Sequence, residues 1–197
     1  YDTTSYATES ETQPVAIDVS SANSSPASAF EVFRVKVTDV GGDGASTYVE
    51  SLTFQRMDGT NVASLSKVVG GVLVKINSTY VGIASLSLTT SSLKIIFPAE
   101  QLIVLDDSSI TLNIWIYLKT VGLIDGQTIG FKVESDAHAF SAFSGGTSFT
   151  GTFPTTFSSP VFTINNKASA LEFENIPSQV GVSVPFTFNV NAVDELS

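Results

Sequence analysis

Residues 109–119 read S-I-T-L-N-I-W-I-Y-L-K, and from Ile110 to Leu118 every second residue is a large aliphatic. Ile110, Leu112, Ile114, Ile116 and Leu118 therefore fall on one side of an extended chain. Thr111, Asn113, Trp115, Tyr117 and Lys119 fall on the other. A period of two fits a β-strand with one buried face and is incompatible with the 3.6-residue stripe of an amphipathic helix. A strand this long needs partners on both edges and a second layer over its apolar face.

Similar patterns recur along the chain. Residues 30–38 carry Phe30, Val32, Val35 and Val37, and residues 48–56 form the next run, closed by the turn residues Asp58 and Gly59. Strands are predicted at 68–76, where Gly70 and Gly71 point to a bulge or tight bend, and at 80–88 and 93–97, the last closed by Pro98. Further strands are predicted at 128–134, 140–143, 148–153 and 160–164. No stretch of helical length holds a 3.6-residue apolar stripe. Short strands at regular spacing, punctuated by Gly, Asn and Asp, define an all-β chain. The expected architecture is an antiparallel β-sandwich, immunoglobulin-like or jelly-roll-like, over residues 30–165. Residues 1–29, rich in Ser, Thr and Ala, read as an extended lead-in. Asn165, Asn166 and Lys167 read as a linker. Residues 168–197 then hold the first strands of a second, partial immunoglobulin-like domain, incomplete or completed by another chain. Thirty residues bury too little surface to stand alone.

Composition narrows the function. With 9 basic and 19 acidic residues the formal net charge is −10, which argues against nucleic acid or an anionic membrane as partner. No apolar run is long enough to span a bilayer as a helix, so no membrane insertion is expected. The 197 residues contain no cysteine, which excludes disulfides, thiolate metal sites and cysteine nucleophiles. Tyr1 in place of an initiator Met reads as a processed chain, and the Ser/Thr-rich, Lys-poor composition points to a secreted or cell-surface location.

Four groups of residues invite chemistry. Asp39 and Asp43, spaced D-x-x-x-D among glycines, are candidate calcium ligands, with Asp58 or the pair Asp106 and Asp107 as completing carboxylates. The preferred reading is a solvated Asp/Gly hairpin loop without a cofactor, because a third carboxylate and a closing Glu are missing from the local motif. Asp106 and Asp107, adjacent in sequence, would point to opposite faces of a strand and read as a turn. His138, the only histidine, lacks a G-x-S-x-G or other nucleophile context and reads as a loop residue. Trp115 and Tyr117 share a face with Thr111, Asn113 and Lys119; exposed, they would form a carbohydrate-stacking platform, and buried, Trp115 is core or inter-domain packing. Asn23-Ser-Ser and Asn77-Ser-Thr match a glycosylation acceptor pattern, and Asp2-Thr-Thr resembles a short O-glycosylation signal.

Taken together, the segments 33–39 (FRVKVTD), 110–119 (ITLNIWIYLK) and 125–131 (DGQTIGF) with Phe140 resemble a secreted β-sandwich module of Bacteroidota cell-surface proteins. Residues 170–173 (ALEF), Ile176 with Pro177, and 186–194 (FTFNVNAVD) look like the opening of a following immunoglobulin-like repeat. The resemblance implies export by the type IX secretion route and a place in a long multidomain protein. The expected function is a non-catalytic structural or adhesive module, not an enzyme, with other domains of the same protein or copies of itself as partners. The alternatives are a carbohydrate-binding module of a polysaccharide-degrading enzyme, with polysaccharide as partner, and a subunit of a strand-exchanged filament. Calcium at Asp39 and Asp43 would stabilise the native state by mass action. A calcium site there predicts a melting temperature several degrees higher in millimolar Ca²⁺ than in chelator, measured by calorimetry; equal values exclude it.

Overall fold

The computed structural model describes residues 5–40, 42–136, 139–143, 145–150, 152–166 and 168–194. The chain folds as an all-β sandwich built on two large sheets. The first has five strands, β1 (Tyr6–Glu9), β3 (Phe30–Asp39), β10 (Ser108–Leu118), β5 (Val69–Ile76) and β6 (Thr79–Val81), in that order. The second runs β14 (Phe157–Ser158), β12 (Phe131–Val133), β4 (Thr47–Arg56), β8 (Ser92–Ile96) and β7 (Ser85–Leu88), with β13 (Phe140–Ala142) and β9 (Ile103–Val104) also paired to β4. A small sheet of β11 (Gln127–Ile129), β15 (Phe162–Asn165) and β2 (Asp18–Ser20) closes one end, with β2 and β15 parallel.

The strongest sequence signal becomes the centre of the first sheet. Strand β10 pairs antiparallel with β3 on one side and β5 on the other. Its residues Leu112, Ile114, Ile116 and Leu118 are buried, as the alternation requires. They meet Leu52, Phe54, Leu93 and Ile95 from the second sheet in one continuous core. Phe33 lies between the layers with its ring 5.7 Å from Phe54 and 5.6 Å from Phe157, tilted contacts of the kind aromatic pairs prefer.

Strand β3 departs from strict alternation. Val32 and Phe33 are consecutive and both buried, and the register against β10 shifts there, Ile114 facing Phe33 but Trp115 facing Glu31. This is a β-bulge, which inserts one residue and reverses the phase of the side chains. Strand β5 meets β10 through a second register shift, between Tyr117 and Leu118, opposite Gly70 and Gly71. A Cβ on Gly70 would lie 2.5 Å from the Leu118 carbonyl oxygen, and one on Gly71 would collide with the Tyr117 ring. The tyrosine thus covers the two glycines, replacing the side-chain packing they lack. Asn77 and Ser78, both at positive φ (49° and 70°), form the two-residue turn from β5 to β6, the geometry of a type I′ hairpin.

The structure amends several expectations. Residues 1–29 are more than a lead-in, since β1 extends the first sheet and β2 the small one. The run 80–88 divides into β6 and β7, which belong to different sheets. The run 128–134 likewise divides at Gly130 into β11 and β12. Residues 148–153 carry isolated bridges, Ser5 with Phe149 and Asp136 with Thr152, where a strand was expected. Phe149 and Phe153 instead pack with Phe140 as an aromatic cluster, centroids 5.2–6.0 Å apart. One helical turn, Leu65–Val68, precedes β5.

Beyond the sandwich, β16 (Ala168–Glu174) and β17 (Asn189–Asp194) form a two-stranded antiparallel sheet. Among the described residues these two strands pair only with each other. The two glycines of β5 are not equivalent: Gly70→Ala meets a backbone carbonyl that cannot move aside, whereas Gly71→Ala meets a ring that can. Gly70→Ala is therefore expected to cost about 2 kcal/mol and more than Gly71→Ala, read as the larger shift of the urea midpoint.

Candidate functional site

The outer face of the first sheet carries the chemistry that β10 presents to solvent. Trp115 is half-buried on this face and lies outside the cluster of buried core residues. Lys75, from β5, places its ammonium 3.9 Å from the centroid of the Trp115 ring and 4.7 Å from that of Tyr80. The cation is thus held by two ring faces, an electrostatic attraction to the aromatic quadrupoles. Tyr117, the second expected platform residue, is turned to the glycines of β5 and serves the packing described above.

On the other side of Trp115 lies a polar cluster. Glu31 accepts from Arg34 Nε at 2.8 Å and from Asn113 Nδ2 at 2.5 Å on one oxygen, and from Arg34 Nη2 at 2.7 Å on the other. In a regular strand, residues three apart point to opposite faces. The bulge at Val32 and Phe33 brings Glu31 and Arg34 to the same face, and so makes this bidentate pair. Arg34 also donates to the Thr12 hydroxyl at 3.0 Å. The Gln13 side chain donates to the Arg34 carbonyl at 2.8 Å and accepts from the Arg34 N–H at 3.1 Å. Strand β1 ends its pairing at Glu9 with Val35, so the Gln13 amide takes the place of the next strand residue. Residues 10–17 thereby become a strap along the edge of the face.

Between strap and sheet runs an open groove lined by Pro14, Val15, Ile17, Glu31, Arg34 and Trp115, among others. Val15 and Ile17 are 78% and 49% exposed. The Trp115 Nε1 atom is shielded from solvent and has no hydrogen-bond acceptor. A shielded donor without an acceptor is uncommon in native structures, where most such groups are satisfied.

The acidic loop is organised differently. Asp39 closes β3 with its side chain fully buried, accepting from the Thr47 hydroxyl at 2.6 Å. Thr47 in turn shares a hydrogen bond with Ser5. Asp43 accepts from its own loop, at the Ala45 N–H (2.8 Å). Asp106, half-buried, reaches the loop and accepts from Gly44 N–H at 2.9 Å, while Asp107 is exposed in the turn before β10 at φ 52°. Asp58 lies elsewhere, bound to Lys132 at 2.9 Å, and Lys132 also meets Glu134 at 2.8 Å. Among the described residues, no three His, Cys, Asp or Glu side chains gather in a group able to hold a metal ion. His138 lies outside the described residues.

Compared with known proteins, the chain matches no family model and no curated protein.

Desolvation, the largest single influence on Glu31, pushes its carboxyl up; the hydrogen bonds from Arg34 and Asn113, with the charges of Arg34 and Lys75, outweigh it and hold the group below its ordinary value. A depressed carboxyl stabilises the fold above its unfolded pKa, about 4.3 for Glu, and that contribution is lost as pH falls through the folded value. The melting temperature of wild type is therefore expected to exceed that of Glu31→Gln at pH 7 and to converge with it once the pH falls below the depressed folded value, followed by thermal unfolding across the acid range.

Proposed function

We propose that the protein is a non-catalytic structural and adhesive module of a secreted or cell-surface protein. The observation that carries this reading is the two-stranded sheet of β16 and β17. Leu171, Phe173, Phe188 and Val190 are all exposed, and the register pairs Leu171 with Ala192 and Phe173 with Val190 on one face. Phe188 joins them, its ring 5.9 Å from Phe173. The alternate positions, Glu172, Glu174, Asn189 and Asn191, are polar and equally exposed. Such one-sidedness is the pattern of a sheet meant to carry a second layer. A strand pair with neither a second layer nor a third strand is marginal in water. The sheet fits the opening of an immunoglobulin-like domain whose remaining strands come from elsewhere in the same protein or from another copy, the arrangement of modules in series on a surface protein. This agrees with the likeness of residues 30–164 to Bacteroidota surface modules and with an acidic, cysteine-free chain. Export by the type IX route belongs to the same proposal.

A second reading, a carbohydrate-binding module of a polysaccharide-degrading enzyme, is favoured by the place of Trp115, half-buried on the outer face of the first sheet beside a groove.

Light scattering and limited proteolysis of the chain test the first reading. Completion by another copy gives oligomers or filaments that revert to monomer when residues 168–197 are deleted. Completion within a longer protein leaves a monomer cleaved first between residues 168 and 194, with the sandwich intact. A monomer in which that segment resists protease as well as the sandwich does refutes both.

A further inference from the structure

We propose that the sandwich bears tension along the chain, with the parallel pair of β2 and β15, bolted at Asn166, as its clamp. The proposal rests on reading the protein as one module in a series and adds how such a module withstands pull. The chain enters and leaves the sandwich at opposite ends. Ser5 lies at the Asp39 end of β3: it shares a hydrogen bond with Thr47, which donates to Asp39, and β1 begins opposite Thr38. Strand β15 lies at the other end, its Phe162 ring 5.7 Å from that of Phe30, the first residue of β3. It leaves past Ser20 and Ser21, near Asn23, whose carbonyl accepts from the Leu118 N–H at the end of β10. Load applied between Ser5 and Asn166 therefore runs along the strands and not across the sheets.

Direction decides how a strand pair fails under force. Hydrogen bonds between strands lie across them, so displacing one strand lengthwise strains every bond at once, whereas peeling it from one end breaks them singly. Strands β2 and β15 are parallel, Asp18 to Ser20 alongside Thr163 to Asn165. Load from the Ser5 side reaches β2 at its first residue, through β1 and the strap, and load from the other side reaches β15 at its last. Parallel strands held in this way are gripped at opposite ends and displaced lengthwise. An antiparallel pair held in the same way is gripped at one shared end and peels. Every other pair of strands among the described residues is antiparallel; the parallel one stands where the load meets. Its exit is bolted beyond the ladder. The Ser21 N–H donates to the Asn165 carbonyl at 3.0 Å. Asn166 donates from its backbone to Asp125 at 2.9 Å and from its side chain to the Leu123 carbonyl at 3.2 Å. These bonds tie the departing chain to the loop before β11, the other neighbour of β15, so load at Asn166 spreads to both flanks. On the entry side β1 lies along β3, and the Gln13 amide holds the Arg34 backbone through its N–H and its carbonyl.

The chain has no cysteine, so a single introduced thiol gives a defined point of attachment. The test is single-molecule force spectroscopy on the full chain in two geometries. In the first, reference domains joined to its two ends draw Ser5 away from Asn166. In the second, the pull runs between the reference domain after Ser197 and Ala22→Cys, an exposed position just past the end of β2, so that β2 and β15 are gripped at the same end. The sandwich is expected to unfold at a several-fold higher force in the first geometry, with the melting temperature unchanged by Ala22→Cys. Forced unfolding follows the barrier crossed under load and not equilibrium stability. Asn166→Ala should lower the force in the first geometry while its far-UV spectrum and cooperative melting stay those of wild type. Equal forces in the two geometries, a higher force in the second, or a first-geometry force undiminished by Asn166→Ala overturns the proposal. Residues 168–194 add only their own extension to the record. Failure of the clamp therefore leaves the reading of the C-terminal sheet intact, and refutation of that reading by proteolysis leaves the measured force unchanged.

Discussion

The geometry of the outer face depends on the bulge at Val32 and Phe33. One inserted residue lets two neighbouring apolar side chains enter the core together. It also reverses the phase of β3, so that Phe30 and Val32 point inward on one side of the bulge and Val35 and Val37 on the other. The bidentate bond between Glu31 and Arg34 follows from that reversal. So does the contact of Glu31 with Asn113 on the next strand, and the anchoring of the strap through Thr12 and Gln13 to Arg34. A local change of twist at an internal strand has thus been turned into a cluster of polar groups beside the chain's single indole. Bulges occur where a sheet needs to re-aim a side chain, and here two are re-aimed at once.

The fold was legible where hydrophobic alternation is long and uninterrupted. Residues 110–118 announced their strand and its buried face, and the inward set Leu112, Ile114, Ile116 and Leu118 is the one observed. Alternation does not say to which sheet a strand belongs. Ile129, Phe131 and Val133 keep period two straight across Gly130, although the chain changes sheets there. The first 29 residues hid their strands for a different reason. Strands β1 and β2 are four and three residues long, shorter than any reliable periodicity, and they are held by the edges they join. Val15 and Ile17, which alternate with Val19, are exposed, and only Val19 is buried.

The candidate face was half legible. Trp115 and Asn113 were placed together by alternation alone. Glu31 and Arg34 were not, because a period of two assigns residues three apart to opposite faces and the bulge leaves no unambiguous mark in the letters FEVFRV. Lys75 lies on β5, whose register with β10 is set at the glycine pair, and Tyr80 on β6, whose register with β5 is set by the type I′ turn; sequence locates both features without giving the pairing. The contrast with Lys132 is instructive. Its ion pairs with Asp58 and Glu134 lie at the surface, Asp58 being 91% exposed, and pairs of that kind contribute little. Glu31, at 13% exposure and with three hydrogen bonds, is a fixed element of the face.

Gly130 carries one further consequence. A Cβ there would crowd the Met57 sulfur at 3.1 Å and the Pro160 carbonyl at 3.4 Å, so the chain passes between neighbours at close quarters as it leaves the small sheet for the large one. Its carbonyl accepts from Met57 N–H at 2.9 Å, and Phe131 and Ser159 bond each other immediately afterwards, at 2.8 and 2.9 Å. The two sheets are therefore stitched by covalent backbone as well as by apolar contact. Contact between the small sheet and the second large sheet resists separation but permits sliding; a backbone that crosses directly from one to the other at Gly130 does not. Under a load drawing the small sheet and the second large sheet past each other, this crossing would act as a shear pin between them.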